Sequence, residues 1–314
     1  MSDQPKVWIN GTFVPWEQAT VHLLSHGLSR GSAVFEVFGV HSRPSGLAAF
    51  RMDAHIDRLI RTTQLLGMEL AHSRQEIIQG VRDTVRETGL TDGHIKIIGY
   101  YSEEAFAVLV PQSKLDLAIF AIPAGADLGM DITKPISACI CCWRKLHPDT
   151  VPVEAKACAH YLNGFLARQD ALRRGFDVGI MLDTDGYLAE GSIEACFMVK
   201  NGELRVPPLG RVLRSVSRRS IIEAAPAAGI EVVQTQITPE EILDAEEIFT
   251  SATPFKVLPV GQLEDRTFPE APGPARGADG GEEVVERELL LSEELRLLLE
   301  IGPEDAQVRL HRLD

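Results

Sequence analysis

Cysteine, cationic charge and long apolar runs are what this chain of 314 residues has little of. Its five cysteines are an odd number, three of them crowded at Cys139, Cys141 and Cys142, a pattern that excludes a disulfide framework and fits a reducing, cytoplasmic setting. Period-two spacing puts Cys139 and Cys141 on one face of a strand, as small core residues. Lysine and arginine number 31 against 45 acidic residues, a net charge of −14. Without clustered cations a phosphate backbone cannot be neutralised, so no nucleic-acid partner is expected. Met1-Ser2-Asp3-Gln4 has no basic or apolar signal region, and Pro123 and Gly125 interrupt the run that begins at Leu117. Neither a secretory signal nor a membrane span is therefore expected. The nine histidines include no HExxH pair and no Cys/His set with zinc spacing, so no metal site is expected.

What is present is a chain 45% hydrophobic, long enough for two domains. Asn10-Gly11 between Val7-Trp8-Ile9 and Thr12-Phe13-Val14 predicts a hairpin with a type I′ turn. Val34–Val40 and Leu47–Phe50 flank a second turn. A helix capped by Asp53 is expected through Leu66, stopped by Gly67, and another over Gln75–Thr88, ended by Gly89. Strands follow at His94–Tyr101 and Leu115–Ile122. Pro and Gly then suggest a linker over residues 123–131, dividing an N-terminal domain (1–122) from a larger one (132–314). In the second part a strand is expected around Cys139, a helix over Ala159–Arg174 and a strand at Val178–Leu182. Asn201-Gly202 marks a hairpin between Cys196–Val199 and Glu203–Val206. Thr238-Pro239-Glu240-Glu241 combines an N-cap, Pro at the first helical position and Glu at the third, so a helix starts there. A flexible loop (270–281) and an acidic, Leu-rich last helix (283–299) complete the reading.

Three segments could carry chemistry. Lys156 lies among small residues, Ala155, Ala157, Cys158 and Ala159, which leave its amine room to react; desolvation there would expose the neutral nucleophile. The run Asp183 to Gly191 ends a turn at Glu190, and a buried carboxylate is what a pyridinium nitrogen needs to stay protonated. Ser217 can cap a helix whose free N–H groups would bind a phosphate.

In this order and spacing the segments resemble the class IV (fold type IV) aminotransferases, most closely the branched-chain amino acid enzymes. The resemblance runs through Pro152-Val153-Glu154-Ala155-Lys156, Tyr161-Leu162-Asn163, Leu182-Asp183 to Glu190-Gly191, Pro207-Pro208, Leu213 to Arg218 and Thr250-Ser251-Ala252-Thr253. Upstream it continues through Trp8 to Gly11, Ser25-His26-Gly27-Leu28, Val34-Phe35-Glu36 and His55 to Leu59, covering roughly residues 7 to 262. It implies an α+β fold like that of D-amino acid aminotransferase, with a small N-terminal α/β domain and a larger pseudo-barrel domain, in a homodimer or higher homo-oligomer. Pyridoxal 5'-phosphate would be held by Lys156 as a Schiff base. Tyr161 would bond its phenolic oxygen and Glu190 its ring nitrogen. Arg58, Val216, Ser217 and Thr253 would hold its phosphate, and Leu213 would pack on its ring. The implied reaction is ping-pong transfer of an amino group from a hydrophobic amino acid to a 2-oxo acid such as 2-oxoglutarate, with Arg30, Phe35, Val37, Lys96, Trp143, Ala252 and Thr253 around the substrate.

The cofactor half matches the family better than the substrate half. Branched-chain enzymes usually have Tyr at Arg30, Gly at Val37 and Arg at Lys96; Cys158-Ala159-His160 and Glu194-Ala195 also depart. Pro254 stands where a backbone N–H helps bind the substrate carboxylate, and proline has none. Losing a donor to a charged group costs on the order of 1.5–3 kcal/mol, so Arg30 or Lys96 is expected to replace it. An ordinary salt bridge of either to a local carboxylate, Glu36 for example, is the competing expectation. The departures also resemble D-amino acid or (R)-selective amine transaminases and, at Lys96, aminodeoxychorismate lyases. A cofactor-binding scaffold without turnover is the remaining alternative.

Overall fold

A computed structural model describes residues 5–43, 46–104, 106–107, 109–125, 130–268 and 310–312. The chain divides into two compact units: residues 1–127 with 155–160 and 309–314, and residues 128–154 with 161–308. The short run around Lys156 belongs to the first unit, and so does the strand Leu310–Arg312. Residues 126–129 of the expected linker, and the expected loop and helix over 270–299, lie outside the described residues.

In the first unit, β1 (Lys6–Ile9) and β2 (Thr12–Pro15) are followed by the short α1 (His26–Ser29), β3 (Val34–Arg43) and β4 (Gly46–Phe50). Then come α2 (Met52–Leu65), α3 (Arg74–Thr88), β5 (Gly93–Tyr100) and β6 (Asp116–Pro123). At the turn joining β1 and β2, Asn10 and Gly11 both take positive φ (48° and 93°), as a type I′ turn requires. The strands form one antiparallel sheet in the order β15-β4-β3-β5-β6-β1-β2, with β15 (Leu310–Arg312) pairing β4. Alternation along β5 buries Gly93, Ile95, Ile97 and Gly99 on one face. There the buried faces of α2 (Ile56, Leu59) and α3 (Ile77, Val81) complete a core with Phe38, Leu117 and Ile119. Asp53 does not cap α2: the N-cap is Arg51, in a left-handed conformation, and Asp53 accepts a hydrogen bond from Arg74 at 2.6 Å. Ser73 caps α3 in a full capping box with Glu76.

The second unit holds β7 (Ile136–Arg144), α4 (Tyr161–Arg173), β8 (Val178–Leu182), β9 (Ala195–Lys200), β10 (Glu203–Val206) and α5 (Val216–Ala224). It continues with β11 (Glu231–Gln234), α6 (Pro239–Leu243), β12 (Glu247–Ala252), β13 (Lys256–Leu263) and β14 (Arg266–Thr267). They build a mixed sheet in the order β11-β10-β9-β12-β13-β7-β8, with β14 on β13. Every residue of β8 is buried, the mark of a strand covered on both faces. Phe197 and Phe249 stack at 4.6 Å in one cluster of this unit, beside a second built on Ile180, Met198, Ile248 and Leu258. α4 reaches the turn after Glu190 so closely that a Cβ at Gly164 would lie 2.0 Å from the Ser192 carbonyl oxygen.

Candidate active site

The backbone of Lys156 is tied to β3 and α2. Its N–H donates to Thr62 Oγ1 at 3.0 Å and its C=O accepts from the Phe35 N–H at 3.1 Å. Ala157 bridges Val34, and the Cys158 N–H donates to the Ala33 carbonyl at 2.8 Å. Small residues on both sides of the lysine permit that approach, and the pairing is why the run joins the first unit. The ammonium lies over the Phe35 ring, 4.5 Å from its centroid, and that of Lys96 lies over the same ring at 5.7 Å. Lys96 faces Val37 directly across the β3–β5 ladder. Four residues singled out in sequence, Phe35, Val37, Lys96 and Lys156, therefore come together. Arg30 ends α1 and is exposed.

Arg58 projects from α2 into a buried cluster that sequence reading missed. Its Nε and Nη2 donate to the two oxygens of Glu36, each at 2.7 Å, and His55 Nδ1 lies 2.8 Å from the same carboxylate. Glu36 is fully buried, so it must be paired. Burial pushes its pKa up, but the charge and hydrogen bonds of Arg58, with those of His55, outweigh that and hold it at about 2. For His55 burial dominates over the attraction of Glu36 and lowers the pKa to about 4, so the ring is neutral at pH 7 and donates from Nδ1. Glu36 is thus engaged by Arg58 and His55, rather than by Arg30 or Lys96. A signal was available: Glu36 occupies a core-facing position in the alternation of β3, where a carboxylate demands a cation.

In the second unit Glu190 is held on both oxygens. Oε1 pairs with the Lys145 ammonium, and Oε2 accepts the Leu213 N–H at 3.0 Å. Leu213 opens the approach to α5, whose N-cap is Ser215, not Ser217: the Ser215 hydroxyl accepts from the Arg218 N–H. Val216 and Ser217 are consequently the first two helical residues, where N–H groups have no partner within the helix. Arg218, buried beside them, donates to the Pro207 carbonyl and to Gln234, while its Nε has no hydrogen-bond partner. Ala252 ends β12, and Thr253 and Pro254 form the turn to β13. Tyr161 starts α4, and Trp143, near the end of β7, is 45% exposed. Glu194 is buried; burial raises its pKa against the opposing Ile193 N–H bond. Among the described residues no cluster of three or more His, Cys, Asp or Glu could hold a metal, and no helix is long and apolar enough to cross a membrane.

Comparison with known proteins gives these groups a setting. The family model for class IV aminotransferases matches residues 33–263. A branched-chain-amino-acid aminotransferase of Pseudomonas aeruginosa is 33% identical over 261 residues, 83% of this chain and 85% of that one. The branched-chain aminotransferase of Thermoproteus uzoniensis, solved with norvaline, superposes with a TM-score of 0.85 at 29% identity over 99% of this chain and 100% of the other. The branched-chain amino acid aminotransferase of Thermobaculum terrenum, solved in its PLP-bound holo form, gives 0.82 at 26% identity, with 100% of both chains covered.

Proposed function

The chain belongs to the class IV aminotransferases, has their type IV fold and depends on pyridoxal 5'-phosphate, and on that footing we propose that it moves an amino group from a branched-chain or other hydrophobic L-amino acid to a 2-oxo acid such as 2-oxoglutarate. The observation that carries the reading is Lys156, its backbone tied on both sides and its amine 4.5 Å over the Phe35 ring. The names of the relatives support the substrate class. So do Phe35 and Val37, apolar residues of β3 beside that lysine.

The residues fit the cofactor's polar demands: an amine at Lys156, a carboxylate at Glu190, and for the phosphate Arg58 with the N-terminal amides of α5. The unpartnered, buried Nε of Arg218 is a further donor in that first turn. When bound, the cofactor supplies a carbonyl carbon that takes up the amino group and a ring that withdraws electrons. In the proposal Lys156 Nζ holds that carbon at rest, then removes and returns the substrate Cα proton. Glu190 keeps the ring nitrogen's proton in place, and the Tyr161 hydroxyl bonds the phenolic oxygen. Arg58, the Val216 and Ser217 amides, the Ser217 hydroxyl and Thr253 grip the phosphate, and Leu213 packs on the ring. Arg30, Phe35, Val37, Lys96, Trp143, Ala252 and Thr253 surround the substrate. Pro254, which has no N–H to offer a carboxylate, is the observation that favours a second reading, a transaminase of (R)-amines or D-amino acids.

The proposal extends to a cytoplasmic homodimer. The aminotransferase relatives support the setting, and the exposed apolar stripe Leu162, Phe165 and Leu172 on α4 supports self-association. The test is the visible spectrum of the purified protein with pyridoxal phosphate, recorded before and after L-leucine, L-glutamate, D-alanine and (R)-1-phenylethylamine are added separately. Conversion by L-leucine and L-glutamate, with the visible band absent in Lys156→Ala, is expected. Conversion by D-alanine or the (R)-amine alone would replace the substrate proposal by the second reading, and a band that no donor bleaches would overturn turnover itself.

A further inference from the structure

Lys145 was not among the residues the sequence singled out, yet among the described residues it is the one buried lysine, 8% exposed. It follows β7 directly, past the shift in register against β8 between Ile140 and Arg144. Its N–H donates to the Leu182 carbonyl at 2.8 Å, while the Glu190 carbonyl accepts from the Met181 N–H at 2.9 Å. The two charged residues are therefore anchored to consecutive residues of one fully buried strand. Their side chains meet as an ion pair, and the Leu213 N–H completes the hold on the carboxylate. A carboxylate has about four lone-pair positions, so room for one more donor remains.

A carboxylate so little exposed (13%) is stabilised by a countercharge beside it. In the reading given above, on which this inference rests, the protonated ring nitrogen becomes one such charge, but only once the cofactor is bound. We propose that Lys145 is a positioning residue: it pairs with Glu190 and holds its carboxylate aimed before the cofactor arrives, and remains its second partner afterwards. The carboxylate then meets the ring with its plane set by Lys145 on one oxygen and Leu213 on the other. A consequence separates this from ordinary packing. Removing Lys145 takes the ion-pair partner from the carboxylate in the cofactor-free protein, leaving it the Leu213 N–H and the more distant charge of Arg218, whereas in the loaded protein the ring nitrogen still pairs with it.

Thermal unfolding of Lys145→Met and Lys145→Arg, each cofactor-free and saturated with pyridoxal phosphate, reads this directly. Lys145→Met is expected to lower the cofactor-free Tm by about 5 °C or more, with at most half of that loss in the loaded protein; Lys145→Arg should restore both. The double variant Lys145→Met/Glu190→Gln, which removes both charges, should be more stable without cofactor than Lys145→Met alone. The pH midpoint of the cofactor's visible band should also rise in Lys145→Met, because a nearby positive charge has gone. Equal Tm losses in the two states, or a double variant no more stable than the single one, would overturn the inference and leave the transaminase reading intact. A wild type that pyridoxal phosphate neither colours nor stabilises would overturn both.

Discussion

Glu36, His55 and Arg58 form a cluster whose protonation is part of the fold. The unfolded chain takes up a proton on His55 near pH 6.5, whereas the folded chain resists until about pH 4. His55 therefore costs no stability above its unfolded pKa, and stability falls as pH drops from 6.5 toward 4. Glu36, depressed from 4.5 to about 2, adds a second loss below that window. Between pH 7.5 and 5 the histidine alone should remove about 2 kcal/mol. Asn places an amide nitrogen near the position of Nδ1 and does not titrate. His55→Asn, although less stable at neutral pH through lost ring packing on Phe38, should show a correspondingly flatter urea-midpoint profile between those two pH values. An unchanged slope would mean that the ring takes up its proton in the fold at the same pH as in the unfolded chain. Of this residue-scale chemistry, Lys156 and Glu190 were legible because their neighbours resemble a known pattern. The pairing of Arg58 with Glu36 was half legible, in the strand alternation. Lys145 was not, because no local pattern announces that a lysine just after β7 is buried.

At the scale of elements, turns and caps were the readable signals, since their chemistry is local. Asn201 and Gly202 both adopt positive φ (54° and 74°) between β9 and β10, and Thr238 with Glu241 makes the expected capping box. Ser217, the cap expected from sequence, was the wrong choice: Ser215 caps α5, and Ser217 lies inside its first turn. No proline stands at the first helical position to mark the start, and the backbone of Ser215, extended at φ −65° and ψ 132°, settles it. The division of labour is testable. Ser215→Ala should cost about 1 kcal/mol of stability and weaken cofactor binding only through the frayed helix end. Ser217→Ala should leave unfolding of the cofactor-free protein nearly unchanged while lowering the affinity for pyridoxal phosphate. Denaturation and cofactor titration of both variants check this; the reverse pattern would return the cap to Ser217 and remove its proposed role on the phosphate.

At the scale of the whole molecule, α4 poses the clearest problem. Gly164, Ala167 and Ala171 bury one face of it, while Leu162, Phe165 and Leu172 are each more than half exposed on another. Their spacing of three and then seven residues lines them along one stripe. A helix apolar on two faces is a poor match to water, and patches of this kind mark surfaces that a partner covers. Sequence pattern alone could not show this, because a small-residue face and a large-residue face together read simply as a hydrophobic helix. The proposed partner is a second copy of the chain. With a net charge of −14 on each copy, association works against electrostatic repulsion and should tighten as salt screens it. Sedimentation at micromolar concentration should therefore give a dimer that persists at higher ionic strength. Phe165→Glu, which places a like charge in the middle of the stripe, should shift it toward monomer without lowering the unfolding temperature of the monomer itself. A wild type that sediments as a monomer, or a Phe165→Glu variant that dimerises as tightly as the wild type, would mean that this stripe is not where two copies meet.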